Sequence, residues 1–308
     1  MQQPHSSSPA AIQDYLHLHF IVLIWGFTAI LGRLVTIPAV ELVFYRTLLA
    51  FLLLAVTCLL LRKSLKIGNR TRVQLMLTGT IIALHWILFF AAARVANVSV
   101  CLAGMATGSL WTSLLEPLFQ RRPVRLLEIS LGVVAIVGLY VVFHFEINHA
   151  LGLAMAVASA MLSALFSVIN ARFAVIYDAQ VVTFYEMIGA FVSTVALLPV
   201  FAVVFYSDQS INLSPTTTDW LWILLLAWVC TVYAYSAGVH LLRKFTPFAI
   251  SLTVNLEPVY GIVLAVLIFG DEEKMTPGFY VGTLIILLAV LVYPLLKRIT
   301  DRLLAQQL

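Results

Sequence analysis

The sequence predicts an all-α integral membrane protein of ten transmembrane helices, arranged as two inverted five-helix repeats. Three observations predict it. Ten apolar runs fill the 308-residue chain, each roughly the 20 residues that a helix rising about 1.5 Å per residue needs to cross a hydrocarbon core of about 30 Å. Lys and Arg gather in every second gap between those runs, as expected of loops that resist translocation. A Phe-Tyr motif in the second run returns 140 residues later in the seventh. Composition excludes a water-soluble fold, because 62% hydrophobic and 10% charged residues lie far from the roughly 25% charged of soluble domains.

Residues 1–16 are polar, rich in Ser, Pro and Gln, and carry no basic segment ahead of the first run. They read as a disordered cytoplasmic tail, so the run 17–34 is a true helix rather than a cleaved signal. Span 41–61 leads into a basic gap, 62–73, holding Arg62, Lys63, Lys66, Arg70 and Arg72. Spans 74–95 and 99–119 are joined by a short turn, and the next gap, 120–125, holds Arg121, Arg122 and Arg125. Span 124–144 completes a first half, 17–145. The second half, 146–296, opens with spans 150–173 and 180–205, and Arg172 closes the first of these. A long loop, 206–219, carries no Lys or Arg. Span 219–241 is followed by Arg243 and Lys244, and span 247–269 by the acidic turn Asp271, Glu272 and Glu273 with Lys274. Span 277–296 ends in a cytoplasmic tail, 297–308, holding Lys297, Arg298 and Arg302.

Of the 18 Lys and Arg residues, 14 fall on one side, three (Arg33, Arg94 and Lys274) on the other, and Arg46 lies inside a span. The first side is therefore cytoplasmic, and both termini sit there in a multi-pass protein of the cell (inner or plasma) membrane. The net charge of +4 reports this topology. No basic stripe with interleaved aromatics points to nucleic acid. Cys58, Cys101 and Cys230 lie in separate runs without metal-type spacing and read as packing residues.

The second span reads Val43-Phe44-Tyr45-Arg46-Thr47-Leu48-Leu49-Ala50-Phe51 and the seventh Thr183-Phe184-Tyr185-Glu186-Met187-Ile188-Gly189-Ala190-Phe191. Phe, Tyr, Ala and Phe recur in register. The two are five spans apart in order, an odd number, so they cross in opposite directions. Inverted repeats of this kind are typical of secondary transporters, whose halves rock about a site near the midplane.

On Trp25-Gly26, Phe44-Tyr45-Arg46, and Leu256-Glu257-Pro258-Val259-Tyr260 leading to Phe269-Gly270-Asp271-Glu272, the chain resembles the EamA-type carriers of the drug/metabolite transporter superfamily. The resemblance covers about residues 17–296. It implies a ten-helix bundle with a central cavity and export of small metabolites or amphipathic compounds. The first half departs at the matching point, where Phe119-Gln120-Arg121-Arg122 replaces the usual Gly-Glu ending and a Glu116-Pro117 pair appears instead.

An ionisable side chain at the bilayer centre costs about 2.5–3.5 kcal/mol on insertion scales, so each needs a partner, a wet cavity or a purpose. Glu257 lies 10 residues from Pro247 and 13 from Gly270, roughly 15–20 Å of helix either way and too far to snorkel. Pro258 has no N–H to give the Val254 carbonyl, so carboxyl, freed carbonyl and the Asn255 amide cluster within one turn. His85 is also central, with Trp86 beside it, and a histidine there can shuttle protons or bind substrate. Trp86, Trp111, Tyr233 and Tyr235 are placed to line a cavity or simply to pack. Glu116 and Glu186, nearer the cytoplasmic ends, read as a relay, with snorkelling toward Arg121 and Arg122 the alternative for Glu116. Arg46 is either a helix-end partner of Glu41 or an attractive point for an anionic substrate. Asn170 is either a cavity residue or a helix terminus.

No His-Glu-x-x-His, Gly-x-Ser-x-Gly or phosphate-binding Gly-Lys-Ser/Thr motif occurs, and no room remains for a nucleotide-binding domain. The expected function is secondary active export of a small metabolite, such as an amino acid or related compound, by alternating access with proton antiport. The alternatives are a passive facilitator or a multispan intramembrane enzyme acting on lipid. No catalytic residue, metal or organic cofactor is implied. The partners are the small-molecule substrate and the lipid bilayer, with a homodimer left open.

Overall fold

A computed structural model describes residues 10–120, 126–205 and 211–305, and among them the chain is helical with no strand. The basic residues Arg121, Arg122 and Arg125, read above as a cytoplasmic loop, lie outside the described residues. In chain order the helices are α1 (Ile12–Gly26), α2 (Thr28–Leu34), α3 (Ala39–Leu60), α4 (Asn69–Val95), α5 (Val98–Met105), α6 (Gly108–Gln120) and α7 (Leu126–Phe145). Then come α8 (Ala150–Ala174), α9 (Ala179–Phe205), α10 (Thr217–Ala227), α11 (Ala234–Leu241), α12 (Pro247–Val254), α13 (Glu257–Phe269) and α14 (Pro277–Ala305).

Among the described residues, eight helical stretches are long and apolar enough to cross a membrane. The fifth and tenth expected spans fall on α7, some of whose side chains lie outside the described residues, and on α14, whose described apolar part, Pro277–Ala289, is shorter. Large apolar side chains face outward over the bundle, with Leu59 78% and Leu267 75% exposed. Water does not tolerate such a surface, but acyl chains do.

The first helix begins at Ile12, inside the stretch expected to be a disordered tail. The reason is local and tertiary at once. Asp14 accepts from the Ala11 N–H at 2.8 Å, capping an exposed helix start, and Lys244 binds the same carboxylate at 2.7 Å.

Helices from the two halves interlock. Helix α4 packs on both α8 and α9, and α3 packs on α9. Apolar side chains gain nothing over lipid by facing one another, so close approach comes from small residues and dispersion. On the α4–α9 contact, Gly79 lies against the Glu186 carbonyl and Gly189 against the Met76 backbone. On the α7–α14 contact, a methyl placed on Gly138 would stand 2.8 Å from the Gly282 carbonyl oxygen, and one on Gly282 2.8 Å from that of Gly138.

Corresponding helices of the two halves run antiparallel where they touch. Along α3 and α9, Lys63 reaches Asp178 at one end, Phe191 lies 5.4 Å from both Phe44 and Phe51, and Glu41 accepts from the Asn212 N–H beyond the other end. Along α5 and α13, Leu102 fills the space left by Gly261 while Glu273 reaches Val98. Along α7 and α14, Glu146 meets Thr276 and Gly138 meets Gly282.

Candidate functional site

Proline chemistry shapes the centre of the bundle. Pro258 cannot donate to the Val254 carbonyl, so the α-helical ladder stops. The Leu256 N–H turns back to Thr253 at 3.0 Å, and a new helix starts at Glu257. Opposite this break the first span is interrupted at Phe27, where the Thr28 hydroxyl donates to the Trp25 carbonyl at 2.5 Å. Gly26 packs there against Tyr260 and the Glu257 carbonyl. The span holding α5 and α6 is also interrupted, where the Thr107 N–H turns back to Gly104 at 3.1 Å. Three interrupted helices thus surround one volume, and irregular backbone at membrane depth is tolerated where it is buried or lines a cavity.

That volume is a cavity of about 120 Å³, room for several waters or a small solute. Arg46, His85, Trp86, Asn170, Tyr235, Asn255 and Glu257 all line it. Trp111 and Tyr233 do not line it, and Tyr233 is 41% exposed.

Arg46 is not ion-paired with Glu41. Its Nε donates to Thr231 Oγ1 at 2.9 Å, and its guanidinium lies 3.8 Å from the centre of the Trp86 ring. Beyond Thr231 the guanidinium has no further hydrogen-bond acceptor among the described residues, and Arg46 lines the cavity. Glu257 likewise has no hydrogen-bond donor among the described residues, and it lines the same space. Beside it Asn255 is steadied by donating to Ser109 Oγ at 2.9 Å.

His85 shows which ring nitrogen is free. The Ser159 hydroxyl donates to the His85 carbonyl at 2.9 Å, leaving the Ser159 carbonyl and Oγ as acceptors 2.9 and 2.8 Å from Nδ1. Nδ1 is therefore the protonated nitrogen. In the neutral ring Nε2 is then the acceptor nitrogen, and His85 lines the cavity.

Glu186 and Glu116 do not line the cavity. Asn170 Nδ2 donates to Tyr235 Oη at 2.9 Å, and Tyr235 donates to Glu186 Oε2 at 3.0 Å. Glu186 is thus one hydrogen bond behind the cavity wall, and its Oε1 and the Asn170 Oδ1 are both buried without a hydrogen-bond partner among the described residues. Glu116 Oε2 accepts from the Phe248 N–H at 2.9 Å, satisfying a donor at the start of α12. Snorkelling of Glu116 toward Arg121 and Arg122 lies outside the described residues.

Polar clasps close the two ends of the bundle. At one end Asp219 accepts from the Thr36 N–H and hydroxyl, both at 2.7 Å. Glu273 accepts from the Val98 and Ser99 N–H groups at 2.9 and 2.8 Å, and Glu146 from the Thr276 N–H at 3.0 Å. At the other end Arg243 donates to the Ala174 and Tyr177 carbonyls at 2.5 and 2.7 Å, and Lys63 binds Asp178 at 2.7 Å and also Gln180. Burial pushes the Asp178 carboxyl up, but hydrogen bonds from Lys63, Gln180 and Val181 outweigh it and hold the group below its ordinary range. The Lys63–Asp178 clasp is therefore fully formed above the ordinary aspartate range near 4 and is lost only as pH falls through the lowered value.

One feature of the site has no signal in the sequence. Residues Trp228–Tyr233 form a π-helical segment between α10 and α11, in which the Thr231 hydroxyl donates to Leu226 at 2.8 Å. The wide turn sets Thr231 under Arg46. Such segments mark functional sites often, but neither Gly nor Pro interrupts this stretch.

The model of the EamA-like transporter family matches residues 15–144 and again 150–293. No curated protein matches the sequence. One solved protein crystal structure aligns over 94% of this chain and 99% of its own, with a TM-score of 0.67 at 16% identity, a likeness of fold alone.

Proposed function

The chain belongs to the EamA-like transporter family, and from that premise we propose a secondary transporter that exports a small metabolite by alternating access, coupled to protons through Glu257. The observation that carries this reading is the cavity itself. Two buried ionisable side chains of opposite type, Arg46 and Glu257, line it without an ion-pair partner among the described residues, and such groups in a membrane protein mark a solute or proton pathway. The antiparallel pairing of α3 with α9, α5 with α13 and α7 with α14 supports ten spans in two inverted halves, with 17–145 and 146–296 as the repeats. Clasps at both ends supply contacts that alternate between closed and open states.

The experiment uses purified protein in vesicles loaded with a heat-stable cell extract, with solute loss followed by mass spectrometry. Specific loss of one or a few solutes, driven uphill by an imposed pH difference, is the expected result. Loss that only runs down its own gradient makes the protein a facilitator. Lipid products of new mass make it an enzyme, and no loss beyond protein-free vesicles overturns the reading altogether.

Orientation has its own test. With Cys58, Cys101 and Cys230 removed, a single cysteine at Ser214 is expected to react with an impermeant thiol reagent added to intact cells, and one at Lys66 is not. The reverse pattern inverts the topology and places the termini outside.

A further inference from the structure

We infer that Glu186 is a proton site separate from Glu257, a neutral carboxylic acid that closes a ring of three hydrogen bonds with Tyr235 and Asn170 and exchanges its proton with the cavity through the Tyr235 hydroxyl. A count of hydrogens carries the inference. Asn170 Nδ2 donates to Tyr235 Oη at 2.9 Å, and Tyr235 Oη donates to Glu186 Oε2 at 3.0 Å. Two edges of the ring are thus closed. On the third, Glu186 Oε1 and Asn170 Oδ1 are both buried without a hydrogen-bond partner among the described residues, although the two side chains interact. Two neighbouring acceptors left over in this way lack one hydrogen. A proton on Oε1, donated to Oδ1, satisfies both. Turning the Asn170 amide over does not remove the need. Its nitrogen then donates to Oε1 while its oxygen takes the Tyr235 hydroxyl hydrogen, and the 3.0 Å contact between Tyr235 and Glu186 is left without a hydrogen unless the carboxyl supplies one. The ring closes in either direction, and in both Glu186 is protonated.

The surroundings offer no charge in place of that proton. Glu186 is fully buried, and helix α9 packs on α3, α4, α8 and α11. From those helices Tyr235 is the titratable group that acts on it among the described residues, with Asn170 beside it. The cations are turned elsewhere. On α3, Arg46 is bound to Thr231 and Trp86. On α4, Arg72 lies over the Tyr185 ring, Arg94 donates to the Gly32 carbonyl and His85 holds Ser159. On α8, Arg172 donates to the Phe119 carbonyl, and on α11 His240 is exposed. A carboxylate at this depth with no counter-charge is strongly disfavoured against the acid. Tyr235 lines the cavity and Glu186 does not, so the hydroxyl is the link between them. Starting from the carboxylate, an excess proton on a cavity water passes to Tyr235 Oη while the hydroxyl's own hydrogen passes to Glu186 Oε2. One O–H bond breaks and one forms at the tyrosine, and the phenol stays neutral. Use of this proton in transport rests on the transporter reading, but its presence does not.

The test reads the carboxyl by infrared spectroscopy of the purified full chain near neutral pH, since a protonated carboxyl has a C=O stretch that a carboxylate lacks. The wild type is expected to show such a band that is lost in Glu186→Gln and kept in Glu257→Gln. The glutamine at 186 places an amide N–H where the acid O–H stood, so the ring stays closed. Tyr235→Phe removes the donor to Oε2 and is expected to shift the same band to higher frequency. In heavy water the band moves as the proton exchanges, and that exchange is expected to be at least about tenfold slower in Tyr235→Phe. A Glu186→Gln spectrum that has lost no carboxylic acid band overturns the proton site. Should that variant fail to fold, a Tyr235→Phe spectrum with no shifted band does the same. Equal exchange rates overturn the route through Tyr235. Solute loss from extract-loaded vesicles without the band leaves the transporter reading standing, whereas the band without solute loss leaves the proton site and overturns that reading.

Discussion

Glu257→Gln gives a folded, membrane-inserted protein that has lost transport driven by a pH difference. The substitution preserves size and hydrogen bonding and removes only the exchangeable charge. In the wild type an ionised carboxyl lining this cavity has no protein donor among the described residues, so its charge must be met by a proton, by water or by the solute. On the proposed reading, competition between proton and solute for this one carboxyl would couple the two, because the state that takes a proton would be the state that releases its cargo. The glutamine variant cannot exchange one for the other. Exchange of solute for solute at equal pH is expected to survive in part, because it needs no net proton movement. Wild-type rates of uphill transport in vesicles holding purified Glu257→Gln would show that the coupling proton binds elsewhere, with Glu186 behind Tyr235 the next group to replace.

The largest effect on folding is expected at Gly79 and Gly189. Each sits where α4 and α9 touch backbone to backbone, and a methyl on either falls well inside van der Waals contact with a carbonyl oxygen of the other helix. Backbone cannot swing aside as a side chain can, so the helices must separate along their length. Overpacking of this kind costs about 1–3 kcal/mol where side chains can adjust, and valine at these two positions is expected to exceed that range. Gly79→Val and Gly189→Val should lower the yield of monodisperse protein and the thermal midpoint sharply, singly and together. Gly68→Ala is the control, since no atom lies within 4 Å of the added methyl. Unchanged melting of Gly189→Val would mean that the two halves do not meet at this contact.

Much of this arrangement is written in the sequence, because its causes are short in range. Apolar length sets the spans, and Pro258 sets the break before Glu257. The recurrence of Phe-Tyr in α3 and α9 marks helices that do pack on each other in opposite directions. Depth along a helix also separated His85 and Glu257 from end-of-helix charges. Depth does not say which way a side chain turns, however. Glu186 and Arg46 occupy matching positions of the repeat, yet one is sealed behind Tyr235 and the other faces the cavity. Glu116-Pro117 imitates Glu257-Pro258 in one dimension, but its carboxylate serves the start of α12. The start of α1 was hidden for a related reason, since Asp14 finds its cation 230 residues away at Lys244.

The π-helical segment at Trp228–Tyr233 has a consequence for ancestry. A helix that closes its hydrogen bonds over five residues instead of four holds one extra residue in that turn, so the segment amounts to a one-codon insertion that the helix absorbed without breaking. Removing a codon there would restore a regular helix and rotate everything before the deletion by about 100° relative to everything after it. Thr231 and Tyr235 would then no longer face Arg46 and Glu186 together. A chain with the shorter helix is expected to keep the same bundle with a differently wired cavity, since a single-residue change in this turn re-aims the side chains that line it while every membrane span stays in place.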